Sequence, residues 1–204
     1  MAGRNDQSAQ AHDAQGRATP DWALSLDGMR AQAWSCLSRG VRDRRAPSRH
    51  PTLATVSPEG WPQARTVVLR AADPAQAVLE VHTDTRSAKV AALRAAPRAA
   101  LHFWDARRHL QIRLACTATL LTGDAAAAHW DRVPPAARAT YGADTAPGTP
   151  IDDPMAQGHG GGQAWGFAVL CLQVHMMDLL HLGAPHRRAG YRRAQAWAGQ
   201  WLAP

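Results

Sequence analysis

The sequence predicts a mainly β, antiparallel fold with a few short helices. Strand-like apolar spacing recurs in about six segments, short turns join the first of them, and helical spacing is confined to brief stretches. A sheet of this size hides its edges when it closes into a small barrel. We therefore expect a small antiparallel β-barrel with two or three helices beside it.

The chain begins with a polar stretch, followed by a helix. Residues 1–20 carry few large apolar side chains, which predicts a disordered tail. Residues 21–43 have apolar groups at helical spacing, and Gly40 is the expected stop. We expect one folded domain over residues 21–204.

The remaining elements follow in short succession. Pro58 and Gly60 provide a turn after the first strand. The expected strands are 52–57, 63–72, 77–83, 98–105, 109–121 and 164–180, and the expected helices are 87–97 and 122–133. Residues 134–163 are rich in Gly and Pro, which predicts a long loop.

Charge and apolar composition argue against a nucleic-acid-binding, membrane or secreted protein. The formal charge is +7, but the arginines are dispersed along the chain, so nucleic-acid binding is not the expected function. An apolar run long enough to span a membrane and the apolar core of a secretory signal are both lacking, which predicts a cytoplasmic protein.

Cysteine and histidine spacing does not predict a metal site. Cys36, Cys116 and Cys171 are far apart and form no pair of the CxxC type, so we expect free thiols. The C-terminal histidines at 175, 181 and 186 match no recognised ligand spacing. We therefore expect no bound metal.

The stretch HTDTRSAKV (82–90) contains Lys89, the only lysine among 23 lysine and arginine residues. Thr83 ends a predicted strand, and Arg86, Ser87 and Lys89 then open a predicted helix, with Ser87 as its expected N-cap. The first turn of a helix presents unpaired N–H groups and positive potential, which suits a dianionic phosphate. A merely solvated basic helix start is the alternative.

Two further stretches combine polar and apolar residues on predicted strands. In RTVVLR (65–70), Arg65 and Arg70 fall on opposite faces of a regular strand, so one can face a pocket. In HLQIRL (109–114), Gln111 and Arg113 share a face. A buried Gln needs hydrogen-bond partners, which either a ligand or the barrel interior can supply.

Taken in order, RTVVLR, HTDTRSAK, PRAALHFW and LQIRL resemble the motifs of the pyridoxamine 5′-phosphate oxidase-like flavoproteins, the FMN-binding split barrels. The resemblance covers about residues 50–133, and residues 164–204 more loosely. It implies a six-stranded, Greek-key split β-barrel. It also implies a homodimer with FMN at the subunit interface.

Carried over by position, the resemblance implies a set of cofactor residues. Arg86, Ser87 and Lys89 would hold the FMN phosphate, and Gln111 would hydrogen-bond the flavin. The full implied set is Arg65, Thr66, Val67, Val68, Leu69, Arg70, His82, Thr83, Arg86, Ser87, Lys89, Gln111 and Arg188.

The chain departs from the family pattern on the substrate side. His129 stands where the oxidase has Tyr, Arg70 where it has Lys, and Ala184 where it has Arg. Arg132 and His186 remain candidate substrate residues, and loop 142–163 is a candidate cover for that side. We therefore expect an FMN-dependent oxidoreductase acting on a small molecule other than pyridoxamine phosphate. A non-catalytic flavin- or ligand-binding barrel is the alternative.

Overall fold

The computed structural model describes residues 18–154 and 162–204. Most of the predicted tail, and part of the predicted cover 142–163, lie outside these residues. The strands are β1 (Thr52–Val56), β2 (Pro62–Thr66), β3 (Leu69–Asp73), β4 (Val78–Asp84), β5 (Arg98–Asp105), β6 (Leu110–Thr122), β7 (Phe167–His181), β8 (Arg187–Arg192) and β9 (Gly199–Leu202). The helices are α1 (Leu26–Arg42), α2 (Ala88–Ala95), α3 (Asp124–Trp130) and α4 (Pro135–Arg138).

All of these strands belong to one antiparallel sheet. Its main path runs β2-β1-β5-β6-β7-β4-β3, while β8 pairs with β7 and β9 pairs with β8. The predicted mainly β, antiparallel fold with a few helices is confirmed. The strand number differs from the expected six, because the described residues form nine strands. The hydrogen-bonded path is also not closed, since β2 and β3 remain its unpaired ends within the described residues.

The predicted strand 63–72 is in fact two strands. The chain leaves β2 after Thr66, and the Val67 N–H donates to the Pro51 carbonyl at 2.9 Å rather than continuing the β1 pairing. Strand β3 then starts at Leu69 and pairs with β4. Because only Val67 and Val68 separate β2 from β3, the two ends of the strand path must lie close in space. The sheet therefore curls as a barrel does without being hydrogen-bonded shut.

Helix α1 covers one side of the curled sheet. Ser25 caps it by accepting the Gly28 N–H at 3.0 Å. The helix runs to Arg42, so the prediction that Gly40 ends it was wrong. Gly40 instead allows a close approach: a Cβ there would lie 2.7 Å from the carbonyl carbon of Ser48.

Two hydrophobic clusters fill the interior. The larger one joins α1 to the inward-facing residues of the sheet, including Met29, Leu37, Leu53, Leu114 and Leu172. The smaller one lies between α3 and the start of β7 and consists of Ala126, Val133, Tyr141, Phe167 and Val169. The three predicted free thiols are confirmed. Within the described residues, no helix combines the length and the apolar character needed to cross a bilayer.

Candidate cofactor site

Three side chains meet where β4 ends and α2 begins. The Lys89 ammonium donates to Thr83 Oγ1 at 3.1 Å, and Thr83 Oγ1 lies 3.0 Å from Ser87 Oγ. Both hydroxyl groups are buried. Ser87 occupies the predicted N-cap position, but its hydroxyl makes no capping bond and faces Thr83 instead. We call Thr83, Ser87 and Lys89, together with Arg65, the anion pocket.

Arg65 reaches this pocket from the opposite end of the strand path. Its guanidinium donates to Thr55 Oγ1 at 2.7 Å and to the Leu53 carbonyl at 3.3 Å. Burial lowers the pKa of Lys89, and the nearby Arg65 charge lowers it further, against an opposing contribution from Asp84. Among residues 18–154 and 162–204, no carboxylate oxygen lies within ion-pairing distance of Lys89 or Arg65. Two partly buried cations held by neutral groups create a site of positive potential that suits an anion.

Arg86 does not have the arrangement expected of a phosphate ligand. Its Nε and Nη2 atoms donate to the two carboxylate oxygens of Asp84 at 3.0 and 2.9 Å. The Trp165 ring covers the guanidinium, with 4.7 Å between the guanidinium carbon and the ring centroid. The charge that Arg86 would add to the anion pocket is thus already neutralised. The sequence prediction missed Asp84, because nothing in the spacing distinguishes a solvated Asp from a partner of Arg86.

The predicted flavin-lining stretch 65–70 is only partly accessible. Val67 and Leu69 belong to the hydrophobic core, whereas Arg65, Thr66, Val68 and Arg70 retain accessible surface. The two-residue alternation of an extended chain explains the difference, since Val67 and Leu69 lie on the inward face that Arg65 also shares. Contacts from the buried positions to a cofactor would therefore be backbone contacts.

Gln111 and Arg188 lie on the other face of the sheet from the anion pocket. Gln111 pairs with Trp104 and Leu180, and Leu180 in turn pairs with Arg188, so these side chains share the outer face. Arg65 pairs with the core residue Leu53 and so points inward. One chain therefore does not bring all of the predicted cofactor residues together.

The outer-face residues have their own partners. Gln111 Oε1 lies 3.4 Å from His102 Nε2. Arg188 forms a bidentate pair with Asp178 at 3.0 and 2.8 Å, and the Arg113 guanidinium lies 3.5 Å from the same carboxylate. His186 is separate from this group, and its Nδ1 lies 2.7 Å from the Gly183 carbonyl oxygen.

A cavity of about 250 Å³ lies between β3, β4 and α3. We call it the arginine cavity, because its polar lining consists of Arg49, Arg70, Arg132, Glu80, His82 and His129. The predicted residues Arg70, His82 and Arg132 meet here. Arg70 Nε and His82 Nδ1 are buried and have no hydrogen-bond partner among the described residues. Glu80 was missed, although its alternation with His82 on β4 places both on one face.

Glu80, His82 and His129 form the one group that resembles a metal-ligand set in the described part of the chain. Their ligand atoms lie within 4.8 Å of one another, and Glu80 Oε2 is 3.3 Å from His129 Nδ1. The guanidinium groups of Arg70 and Arg132 line the same cavity and oppose a bound cation. The cavity therefore favours an anionic ligand over a metal ion.

His82 should make the stability of the protein depend on pH. Burial lowers its pKa from 6.5 to about 4, helped by the charges of Arg70, His129 and Arg132. Between these pH values the unfolded chain binds a proton that the folded chain does not bind. The free energy of unfolding should therefore fall as the pH drops from about 6.5 to about 4, by up to about 1.4 kcal/mol per pH unit.

Urea denaturation at about pH 7, 6 and 5 measures how the free energy of unfolding depends on pH. The His82→Gln variant is measured in the same way for comparison with the wild-type protein. The variant should show a flatter profile, since its side chain does not titrate. Equal slopes in the two proteins would contradict the assignment of the proton to His82.

Comparison with known proteins shows which family the chain resembles. Residues 31–122 match the family model described as "Pyridoxamine 5'-phosphate oxidase, FMN-binding domain". Over these residues the chain is similar to the pyridoxamine 5′-phosphate oxidase-like family. The resemblance stated from the sequence is thereby confirmed. FMN as cofactor is confirmed at the level of the matched domain, which is an FMN-binding one.

Two curated relatives share part of this domain. The pyridoxine/pyridoxamine 5′-phosphate oxidase of Microcystis aeruginosa is 46% identical over 78 residues, 38% of this chain. The protein of the same name from Azorhizobium caulinodans is 45% identical over 64 residues, 30% of this chain. The matched segments span only 36% and 29% of these relatives' own lengths.

Two solved structures extend the similarity to most of the chain. A pyridoxamine 5′-phosphate oxidase-related, FMN-binding protein from Nostoc punctiforme superposes with a TM-score of 0.73 at 28% identity, covering 92% of this chain and 100% of that one. PhzG from Burkholderia lata, solved with tetrahydrophenazine-1-carboxylic acid, gives a TM-score of 0.69 at 20% identity, covering 85% and 90%. The second similarity concerns the fold alone.

Proposed function

We propose that this chain binds FMN through its anion pocket and acts as an FMN-dependent oxidoreductase on a small organic molecule. The observation that supports this most directly is the pair of cations Lys89 and Arg65, held by neutral groups beside two buried hydroxyls. The start of α2 adds positive potential at the same place. A phosphate dianion would supply the charge that the pocket lacks.

FMN, when bound, supplies the electron-transfer chemistry, and the protein binds and orients it. Thr83, Ser87, Lys89 and Arg65 would hold the phosphate. Arg86 would contribute indirectly, through its pair with Asp84. The accessible positions next to Arg65 would flank the remainder of the cofactor, in line with the residues implied by the family resemblance.

A homodimer would complete the cofactor site. Gln111 and Arg188 lie on the outer face, so they would reach a cofactor bound in the anion pocket of a second copy. The same face leaves large apolar side chains accessible: Val56 is 49% exposed, Trp104 41% and Met176 38%. Exposed large apolar side chains on one face of a sheet are typical of a protein interface.

Replacing Trp104 by Glu should therefore shift the protein from dimer to monomer and weaken FMN binding at the same time. The residue lies on the outer face, so the core of the single chain remains intact. Light scattering after size exclusion measures the mass, and a flavin titration measures the affinity. Trp61→Glu, at a more exposed position on the β1–β2 hairpin, is the control. A Trp104→Glu variant that stayed dimeric would show that the outer face is not the dimer interface.

The arginine cavity is the proposed substrate side. It adjoins the cofactor stretch at Arg70, and Arg132 would contact an anionic group of the substrate. His186 lies outside this cavity, so its proposed role requires the partner copy. Because His129 and Ala184 differ from the oxidase pattern, we do not propose pyridoxamine phosphate as the substrate.

The proposed function is tested on the purified protein. It should show visible flavin absorbance and release FMN on denaturation. Turnover is then assayed with NAD(P)H, oxygen and pyridoxamine phosphate as trial partners. Colourless protein that takes up no added FMN would exclude the proposal, whereas bound FMN without any turnover would favour a non-catalytic flavin binder.

A further inference from the structure

Asp84 is the most heavily hydrogen-bonded carboxylate next to the anion pocket. It is only 6% exposed. Its oxygens accept the Arg86 backbone N–H at 2.9 Å, both ends of the Arg86 guanidinium, and the Gly142 N–H at 3.1 Å. Gly142 is 58 residues away in the chain. Asp84 therefore joins the short loop 83–87, which carries Thr83 and Ser87, to a distant part of the fold.

In that distant part, the backbone of residues 141–142 crosses the backbone of residues 163–166 in direct contact. The Thr85 N–H donates to the Gly166 carbonyl at 2.9 Å, and the Gln163 N–H donates to the Tyr141 carbonyl at 3.2 Å. A Cβ at Gly166 would lie 2.4 Å from the Gly142 backbone, so the two segments touch without room for a side chain. Trp165, from the same crossing, packs on Arg86. We call residues 141–142 and 163–166 the crossing.

We propose that Asp84 is a positioning residue that couples the anion pocket to the crossing, although it does not itself contact the cofactor. The proposal rests on the proposed FMN site. Loop 83–87 receives hydrogen bonds and packing from the crossing on one side and presents Thr83 and Ser87 to the anion pocket on the other. Loss of the Asp84 contacts would free this loop, so the two hydroxyls and Lys89 would no longer be held in one arrangement. The free-energy cost of ordering these groups would then have to be met during binding, which would lower the affinity for the phosphate.

A matched pair of variants tests the coupling. Asp105 is also 6% exposed, pairs with Arg108 at 2.8 Å and accepts the backbone N–H groups of Arg107 and Arg108, but it is the last residue of β5 and lies away from the anion pocket. Asp84→Asn and Asp105→Asn therefore remove the same chemistry in two places. The measurements are the FMN and riboflavin dissociation constants and the thermal midpoint of each variant.

We expect Asp84→Asn to reduce the preference for FMN over riboflavin by about tenfold, a typical size for coupling between two sites. Asp105→Asn should lower the thermal midpoint without changing this preference. If Asp84→Asn does not fold, Trp165→Ala serves instead, because that side chain is largely exposed and is not part of the core. Trp165→Ala should reduce the preference for FMN over riboflavin by a few-fold, since it removes the ring that packs on Arg86.

The outcomes separate this inference from the proposed function. A wild-type protein that binds FMN no better than riboflavin would overturn both, because the anion pocket would then not be the phosphate site. A wild-type preference that persists or increases in Asp84→Asn and Trp165→Ala would overturn the coupling alone. An equal loss of preference in Asp105→Asn would show a general effect of destabilisation and would also overturn it.

Discussion

Replacing Lys89 by Ala is expected to weaken FMN binding by about 30-fold or more, equivalent to about 2 kcal/mol, and to leave riboflavin binding nearly unchanged. The ammonium group is partly buried and donates to Thr83, so its charge is available to an anion there. Riboflavin lacks the phosphate and therefore gains nothing from this charge. Flavin fluorescence titration with both ligands measures the difference.

Two further variants define this experiment. Lys89→Met removes the charge while retaining the length of the side chain, so it should behave as Lys89→Ala does. Arg94→Ala removes an exposed cation from the other end of α2 and should have little effect on either ligand. Equal losses of FMN and riboflavin in the Lys89 variants would mean that the phosphate lies elsewhere.

Replacing Phe167 by Ala should lower the free energy of unfolding by about 3–5 kcal/mol, the usual range for deleting a buried aromatic side chain. Phe167 is 1% exposed and is the centre of the smaller cluster. Its ring lies 4.9 Å from His82, 5.2 Å from Trp130 and 5.1 Å from Tyr141, measured between ring centroids. The surrounding residues come from separate elements and cannot all move in to fill the space.

Urea denaturation measures this change, with Trp61→Ala as the control. Trp61 is 72% exposed, so its removal should change the free energy of unfolding by less than about 0.5 kcal/mol. Because Phe167 also contacts His82, the variant should reduce the pH dependence described above. A loss of stability below about 1 kcal/mol would show that the cluster repacks around the deletion.

The order and type of most elements could be predicted from the sequence, because local periodicity determines them. The strands at 98–105 and 109–121 and the helix after Ser87 are found close to their predicted positions. The break at Val67–Val68 was not predictable, since RTVVLR has unbroken strand composition and the break results from long-range pairing. Gly40 was misassigned for a similar reason, as its role depends on Ser48 packing against it.

The candidate site shows the same limit. The position of Lys89 at a helix start follows from local sequence alone, and the structure places it in the first turn of α2. Arg86, only three residues earlier, is paired with Asp84, because a carboxylate two residues away competes for it. The face on which Gln111 lies could be predicted from its alternation with core residues. Its separation from Arg65 could not, since that depends on which strands become neighbours.

The two-residue link between β2 and β3 has a consequence for what ligand binding does to the fold. Arg65 lies on one unpaired end of the strand path, and Lys89 follows β4, next to the other end. An anion held by both side chains would therefore connect the two ends of the strand path, which backbone hydrogen bonds do not join. Such a ligand would stabilise the contact between β2 and the β4–α2 junction as well as act as a cofactor. Its removal should favour local unfolding at this contact before other parts of the sheet open.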